Sequence, residues 1–227
     1  MAGNSSGARE RILARIRDAA VRSGGADLID TPLKPTAGLS GPADVLAGIF
    51  PPIGDARARF LTECASNLME AMETADAAAS AAALVTVLNS LPEGELYVQD
   101  VPVLRSLIER ATIAQPVRWS SQGAPAASTQ VSLTLAHAFV AQTGSILISS
   151  QCGGRGASIV APCHIVYGTG VQVVPDIAAA LALAQAKGLT EASYAGLISG
   201  SSRTADIEKI LVQGAHGPRR LVVIIED

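Results

Sequence analysis

A chain of 227 residues, 48% hydrophobic and only 16% charged, with 21 glycines, can bury a substantial core and is excluded from the disordered class. A net charge of −3 and an aromatic content of 3% leave neither a broad basic footprint nor a stacking platform for nucleic acid. The three cysteines, Cys64, Cys152 and Cys163, form no C-x-x-C pair, so neither a disulfide scaffold nor a closed thiolate metal site is expected.

The opening MAGNSSGARERI has no apolar run after its charges, which argues against a secretory signal. Ala77 to Leu88 is apolar but far short of the roughly 20 residues needed to span a bilayer, and it reads as a buried helix. The expected location is the cytoplasm, with no membrane span.

From Arg9 to Arg22, Ile12, Leu13, Ile16, Ala19 and Ala20 recur at helical spacing, and Arg9, Arg11, Arg15, Arg17 and Arg22 fill much of the rest. This amphipathic helix carries a local charge of +3 once Glu10 and Asp18 are counted, which suits either a solvated face or docking. Ser23 to Pro52 holds Pro32, Pro35, Pro42, Pro51 and Pro52 and reads as a linker or wrapping arm. Residues 1–52 are therefore set apart from an α/β domain over residues 53–227.

In that domain Phe60, Leu61, Cys64, Leu68 and Met72 are expected on one helical face, and a second helix over Asp76 to Leu88. Short β-prone runs then alternate with helical ones, through Leu96–Val98, Val103–Arg110, Val117–Trp119, Val131–Leu135, Ser145–Ile148 and Ile165–Tyr167. Val171–Val174 is a further strand candidate, Asp176 caps the Ala-rich helix after it, and Gly188 ends that helix. Leu197–Ser199 and Leu221–Ile225 are expected to complete a mostly parallel sheet flanked by helices.

The sharpest local pattern is Leu197-Ile198-Ser199-Gly200-Ser201-Ser202-Arg203-Thr204-Ala205-Asp206-Ile207-Glu208, which reads as strand, small-residue turn and helix start. Backbone N–H groups at such a turn favour an anion, Gly200 permits close approach, Ser202 and Thr204 offer hydroxyls, and Arg203 offers a charged fork. The alternative is a simple helix cap at Ser202 or Thr204, with Asp206 and Glu208 facing the helix dipole. No G-x-G-x-x-G or Walker sequence is present.

A second constellation runs from Ala141-Gln142-Thr143-Gly144-Ser145 to Cys152-Gly153-Gly154-Arg155-Gly156, where Arg155 offers a carboxylate or phosphate contact. A surface turn has the same composition. His164 beside Cys163 reads as strand-embedded, and the two side chains would point to opposite faces. His216 follows a helix in Gly214-Ala215-His216-Gly217-Pro218, and Asp206 and His216 are the candidate catalytic groups. G-x-S-x-G is absent, and Cys152 has no base evident from spacing.

Ser199 to Glu208 followed by Gly214-Ala215-His216-Gly217-Pro218 resembles the carboxy-terminal motif of the lactate-utilisation LUD-domain family. Thr143-Gly144-Ser145, then Pro162, His164 and Ile165, and the helix Arg11-Ile12-Leu13-Ala14-Arg15-Ile16-Arg17 extend the likeness. The resemblance implies a LUD-type α/β domain over 53–227, related to the ribose-phosphate isomerase and CoA-transferase superfamily. It also implies a system oxidising L-lactate to pyruvate, whose partner proteins carry the iron–sulfur clusters and cysteine-rich motifs, with no cofactor in this chain. The sequence departs from the family at Gln142, where glutamate often precedes Thr-Gly, and at Ser201, where proline is common. An amide at 142 cannot titrate.

The leading expectation is an accessory or substrate-handling subunit of the lactate-oxidising system. Gly144, Ser145, Gly200, Ser202, Arg203, Thr204, Asp206 and His216 would surround a pocket for a small carboxylate or phosphorylated ligand. The alternatives are a stand-alone isomerase, hydrolase or acyl-transferase of a small anionic metabolite, and a non-catalytic interaction module using the basic helix and the proline-rich arm.

Overall fold

The computed structural model describes residues 10, 11, 13–15, 18, 53–201, 203, 204, 212, 213 and 217–227. The chain divides into two units, Met1–Pro52 and Ile53–Asp227. In the first, Glu10, Arg11, Leu13, Ala14, Arg15 and Asp18 are helical, with Arg11 and Arg15 exposed. The proline-rich arm, and Ser202, Asp206 and His216, lie outside the described residues.

The second unit begins with α1 (Ala56–Ser66), whose first turn is closed by Asp55 accepting from the Ala58 N–H. Next come β1 (Glu70–Thr74), α2 (Ala77–Asn89), β2 (Glu95–Val98), α3 (Pro102–Ala111) and β3 (Val117–Trp119). They are followed by β4 (Thr129–Leu135), β5 (Ala138–Val140), β6 (Ser145–Ser149), β7 (Cys163–Thr169) and β8 (Val173–Val174). α4 (Ile177–Ala186), β9 (Ala195–Ile198), β10 (Arg203–Thr204), β11 (Val212–Gln213) and β12 (Arg220–Glu226) complete the order.

Six strands form a parallel sheet in the order β1-β12-β7-β4-β2-β3. Both faces are covered, which is why the β12 core reads as the unbroken apolar run Leu221-Val222-Val223-Ile224-Ile225. Val222 and Ile224 point with Leu96, Val98 and Leu133 toward α2 and α3. Leu221, Val223 and Ile225 point the other way, with Val166, onto α1 and the residues Phe139, Ile146 and Ile148. Phe60 of α1 meets Phe139 at 5.2 Å between ring centroids.

The sequence led to one sheet, and the molecule has more. β8, β5, β6 and β9 form a second sheet of mixed direction, stacked on the first, with α4 packed on its far side through Ala184 against Ala138 and Leu147. Leu197 and Ile198 therefore belong to this smaller sheet and not to the parallel one. Polarity periodicity assigns a strand its faces but not its neighbours.

The helical face expected from Phe60 to Met72 also ends early. α1 stops at Ser66, Leu68 turns outward with φ 57 and 60% exposure, and Met72 lies in β1 beside Ile224. Glu70-Ala71-Met72-Glu73-Thr74 lacks the β-branched composition of a strand and is extended because β12 pairs with it. The cap at Asp176 and the left-handed Gly188 stand where the residues placed them, and Asp76, expected as the first residue of α2, caps it instead.

Candidate functional site

β2 and β4 are neighbours, yet the chain leaves β2 for β3 on one side and β4 for β7 on the other. Such a divergence opens a crevice beyond the carboxyl ends of the two strands. Gln99 spans it: its backbone N–H donates to Leu133 O at 2.9 Å, its Oε1 accepts from the Leu135 N–H at 2.8 Å, and its Nε2 donates to Gln151 O at 3.1 Å. Outside Gln99 lies a cleft of about 390 Å³ between the ends of β2 and β3 and the segment Ser150–Gly156.

The wall of that cleft is glycine-rich because its backbone conformation excludes other residues. Gly153 and Gly154 have φ of 85° and 88°, where an L side chain is strained. The Tyr97 hydroxyl fixes the loop to the sheet by donating to Gly153 O at 2.7 Å, with Gly123 O at 3.2 Å.

Charge in the cleft is uneven. Asp100 is gripped by Arg105 through two bonds of 2.6 and 2.9 Å and also accepts from the Ser121 hydroxyl. Those two contacts hold its carboxyl below the usual carboxylate range. Arg105 in turn stacks on Trp119 at 4.4 Å. Arg155 is exposed, lies 5.4 Å from the Tyr194 ring centroid and makes no ion pair with any described residue. The acid at the cleft is thus already matched, and the guanidinium is not.

A second group gathers residues singled out from the sequence. The antiparallel register Ile146↔Ile198 sets Ser145 beside Ser199, and their hydroxyls share a 2.5 Å hydrogen bond. Thr143 Oγ1 joins Ser145 Oγ at 2.6 Å, Asn67 Nδ2 donates to Thr143 O at 2.8 Å, and the Gly200 N–H points at Met69 Sδ at 3.0 Å. Gly144, Ser145 and Gly200 do come together, packed against the end of α1. Ser145 is only 3% exposed, so the group braces the fold more than it faces solvent.

Arg203 and Thr204 are extended and pair with Gln213 and Val212, and the rest of the expected helix start, Ala205 to Glu208, lies outside the described residues. An open cleft lies at Gly153–Arg155, in the constellation that composition alone could not separate from a surface turn.

One cluster escaped the sequence reading. The β5–β6 hairpin brings His137, Ser149 and Cys152 together, with His137 Nε2 2.8 Å from Ser149 Oγ and 3.3 Å from Cys152 Sγ. Burial pushes the Cys152 thiol up and, with a smaller contribution from Lys187, pushes His137 down. At neutral pH the pair is therefore a thiol facing an uncharged imidazole. Pairing Ala138 with Leu147 across the hairpin is the signal that would have placed His137 near Cys152.

Deeper in the sheet His164 is fully buried, its pKa lowered to about 4 by loss of solvent. Its Nε2 meets Thr134 Oγ1 at 2.9 Å, while His164 Nδ1 and the cross-strand Ser132 Oγ have no hydrogen-bond partner. Cys163 packs on the opposite face, as strand alternation requires. Among the described residues no three His, Cys, Asp or Glu side chains converge on a point where a metal would sit.

The family model of the LUD domain matches residues 120–225. That match takes in a little under half of the chain, which over these residues is similar to the LUD domain. Among curated proteins, the chain is 34% identical over 88 residues to a Lactate utilization protein C from Deinococcus radiodurans, covering 38% of the chain and 41% of that relative. It is 29% identical over 126 residues to a Lactate utilization protein C from Bacillus subtilis, covering 47% of the chain and 52% of the relative. The chain thus spans about half the length of the curated relatives it matches.

In fold, the chain is similar to the crystal structure of a DUF162 family protein from Deinococcus radiodurans, with TM-score 0.60 and 18% identity over 78% of this chain and all of the other. The LUD match takes in the hydroxyl group, the Cys152–His137 pair and Arg155. Tyr97, Gln99 and Asp100, which form the opposite wall of the cleft, precede it. Among the described residues no helix is long and apolar enough to cross a membrane.

Proposed function

We propose that this chain is a LUD-family, substrate-handling subunit of a lactate-utilisation system, and that it holds a small carboxylate in the cleft between β2 and the Gly153–Arg155 loop. The observation that carries the reading is Arg155: a guanidinium that pairs with no carboxylate among the described residues, beside a cleft whose acid, Asp100, is already neutralised by Arg105. A fork of charged donors recognises the flat carboxylate of a 2-hydroxy or 2-oxo acid through paired hydrogen bonds. The relatives named Lactate utilization protein C support the choice of lactate and pyruvate as the acids to try.

In this reading the chain positions substrate, and the electron-carrying iron–sulfur and cysteine-rich centres belong to partner proteins. Calorimetry with lactate, pyruvate and small phosphorylated acids tests the cleft. Arg155→Ala is expected to weaken carboxylate binding by at least about tenfold, the loss of one charged hydrogen bond or more. Unchanged affinity in that variant refutes the site. Co-purification with the products of neighbouring genes, followed by lactate oxidation with and without this chain, tests the subunit role.

A further inference from the structure

The ten residues of α4 include no charged one, and Gln185 is the single polar side chain among them. Ala180 and Ala184 are buried toward the second sheet, where Ala184 packs on Ala138 and Leu147. The face turned away from that sheet is apolar as well. Ile177 is 37% and Leu181 58% exposed, and Ala178, Ala182 and Ala186 are exposed beside them. A helix on a free surface carries polar residues on its outer face, whereas one that is apolar all round is covered on both sides.

We propose that this face binds a second copy of the chain, α4 running antiparallel to the partner's α4 about a two-fold axis that passes between Leu181 and Ala182. The arrangement sets Leu181 opposite the partner's Ala182 and Ile177 opposite the partner's Ala186, so each large side chain meets a small one. It also sets Asp176 opposite the partner's Lys187 at both ends of the contact. Asp176 caps its own helix through Oδ1, which accepts from the Ala179 N–H at 2.7 Å, and keeps Oδ2 for a second donor. Lys187 is exposed and pairs with no carboxylate among the described residues.

Self-complementarity of this kind is what a two-fold contact demands, because the same patch must fit itself. A parallel pairing fails on both counts: Leu181 would meet the partner's Leu181, and like charges would face each other at each end, with the helix dipoles aligned unfavourably. A helix of this length spans about 15 Å, so the contact is small beside that of an obligate dimer and the association is expected to depend on concentration.

The test is sedimentation velocity of the full chain from the low to the high micromolar range. The native protein is expected to approach twice the mass of one chain as concentration rises. Leu181→Arg, which sets two cations together beside the axis, is expected to stay monomeric throughout. Lys187→Glu, which sets two carboxylates together at each end, is expected to raise the dissociation constant by about tenfold or more. Val103→Glu changes an exposed residue of α3, on the other face of the parallel sheet, and is expected to dimerise as the native chain does. Thermal unfolding of each variant shows whether it folds. Ala182→Cys reads the same contact without added charge: it is expected to link to itself across the axis under mild oxidation, while the three native thiols are buried.

A native chain that stays monomeric across the range overturns the proposal. So does a dimer that persists in folded Leu181→Arg, since it is then held by another surface. Should Leu181→Arg not fold, Ala182→Cys decides: failure to self-link where the native chain is dimeric overturns the proposal. A monomeric Ala182→Cys chain whose new thiol is shielded from a maleimide assigns the face to cover from within the same chain and overturns it too.

Discussion

Ser145 and Ser199, 54 residues apart in the chain, share a 2.5 Å hydrogen bond that ties the start of β6 to the residue just after β9. Thr143 continues the chain of hydroxyls at 2.6 Å. Replacing Ser199 by Ala leaves the buried Ser145 hydroxyl one partner fewer. The expected loss is about 1 kcal/mol in urea unfolding. Ser145→Ala is expected to cost a similar amount, and the double variant less than the two together, because both remove the same bond.

Gly144 is irreplaceable for reasons of space as well as angle. Its φ is 61°, and an added Cβ would lie 2.7 Å from the Glu63 Cβ and 2.8 Å from the Glu63 backbone carbon. Gly188 has nearly the same φ, 65°, but nothing within 4 Å. Gly188→Ala should therefore cost only the conformational strain, about 1–2 kcal/mol. Gly144→Ala should cost that and a further ~1–3 kcal/mol for the clash with α1. Equal losses in thermal unfolding would show that the approach of β6 to α1 is not tight.

His164 makes the fold acid-sensitive. Its folded pKa, about 4, lies below the ordinary 6.5, so between those values the unfolded chain binds a proton that the folded chain refuses. The stability is fully present above pH 6.5 and is lost as pH falls through that window toward 4, at up to about 1.4 kcal/mol per pH unit. Unfolding midpoints from pH 7.5 to 4.5 read the slope. In His164→Gln the slope should flatten; an unchanged slope would assign the acid sensitivity to other groups.

Iron and sulfide analysis after anaerobic purification of the chain alone should find no stoichiometric cluster. Cys64 and Cys163 are buried in separate apolar layers on opposite faces of the parallel sheet, and Cys152 is engaged with His137. A cluster needs a fuller set of converging thiolates. Stoichiometric iron and sulfide would overturn the division of labour proposed for the partner proteins.

The alternation of apolar strands and helices was legible because each half of the code is local: Val222 and Ile224 against Leu221 and Val223 state two buried faces, and Asp76 and Asp176 announce helix starts. What was not legible depends on partners far along the chain. Glu70–Thr74 is a strand only because Val222–Glu226 is there to pair with it, and Leu197–Ile198 joins the small sheet only because β6 offers its edge. In the same way Arg203–Thr204 is drawn into a strand pair by Val212–Gln213. Gly144, Ser145 and Gly200 lie near one another, the open space lies at Arg155, and His137 had no mark of its own until the hairpin placed it beside Cys152.

β12 lies in the interior of the parallel sheet, between β7 and β1, although it is the strand latest in sequence. During synthesis β1 therefore waits, about 150 residues after it leaves the ribosome, for its one neighbour in the sheet. Until Arg220–Glu226 arrives, β7 presents an open edge flanked by bare apolar side chains, the kind of surface that other chains pair with. A nascent chain stalled before residue 220 is expected to occupy chaperones, whereas seven more residues close the sheet and withdraw that edge.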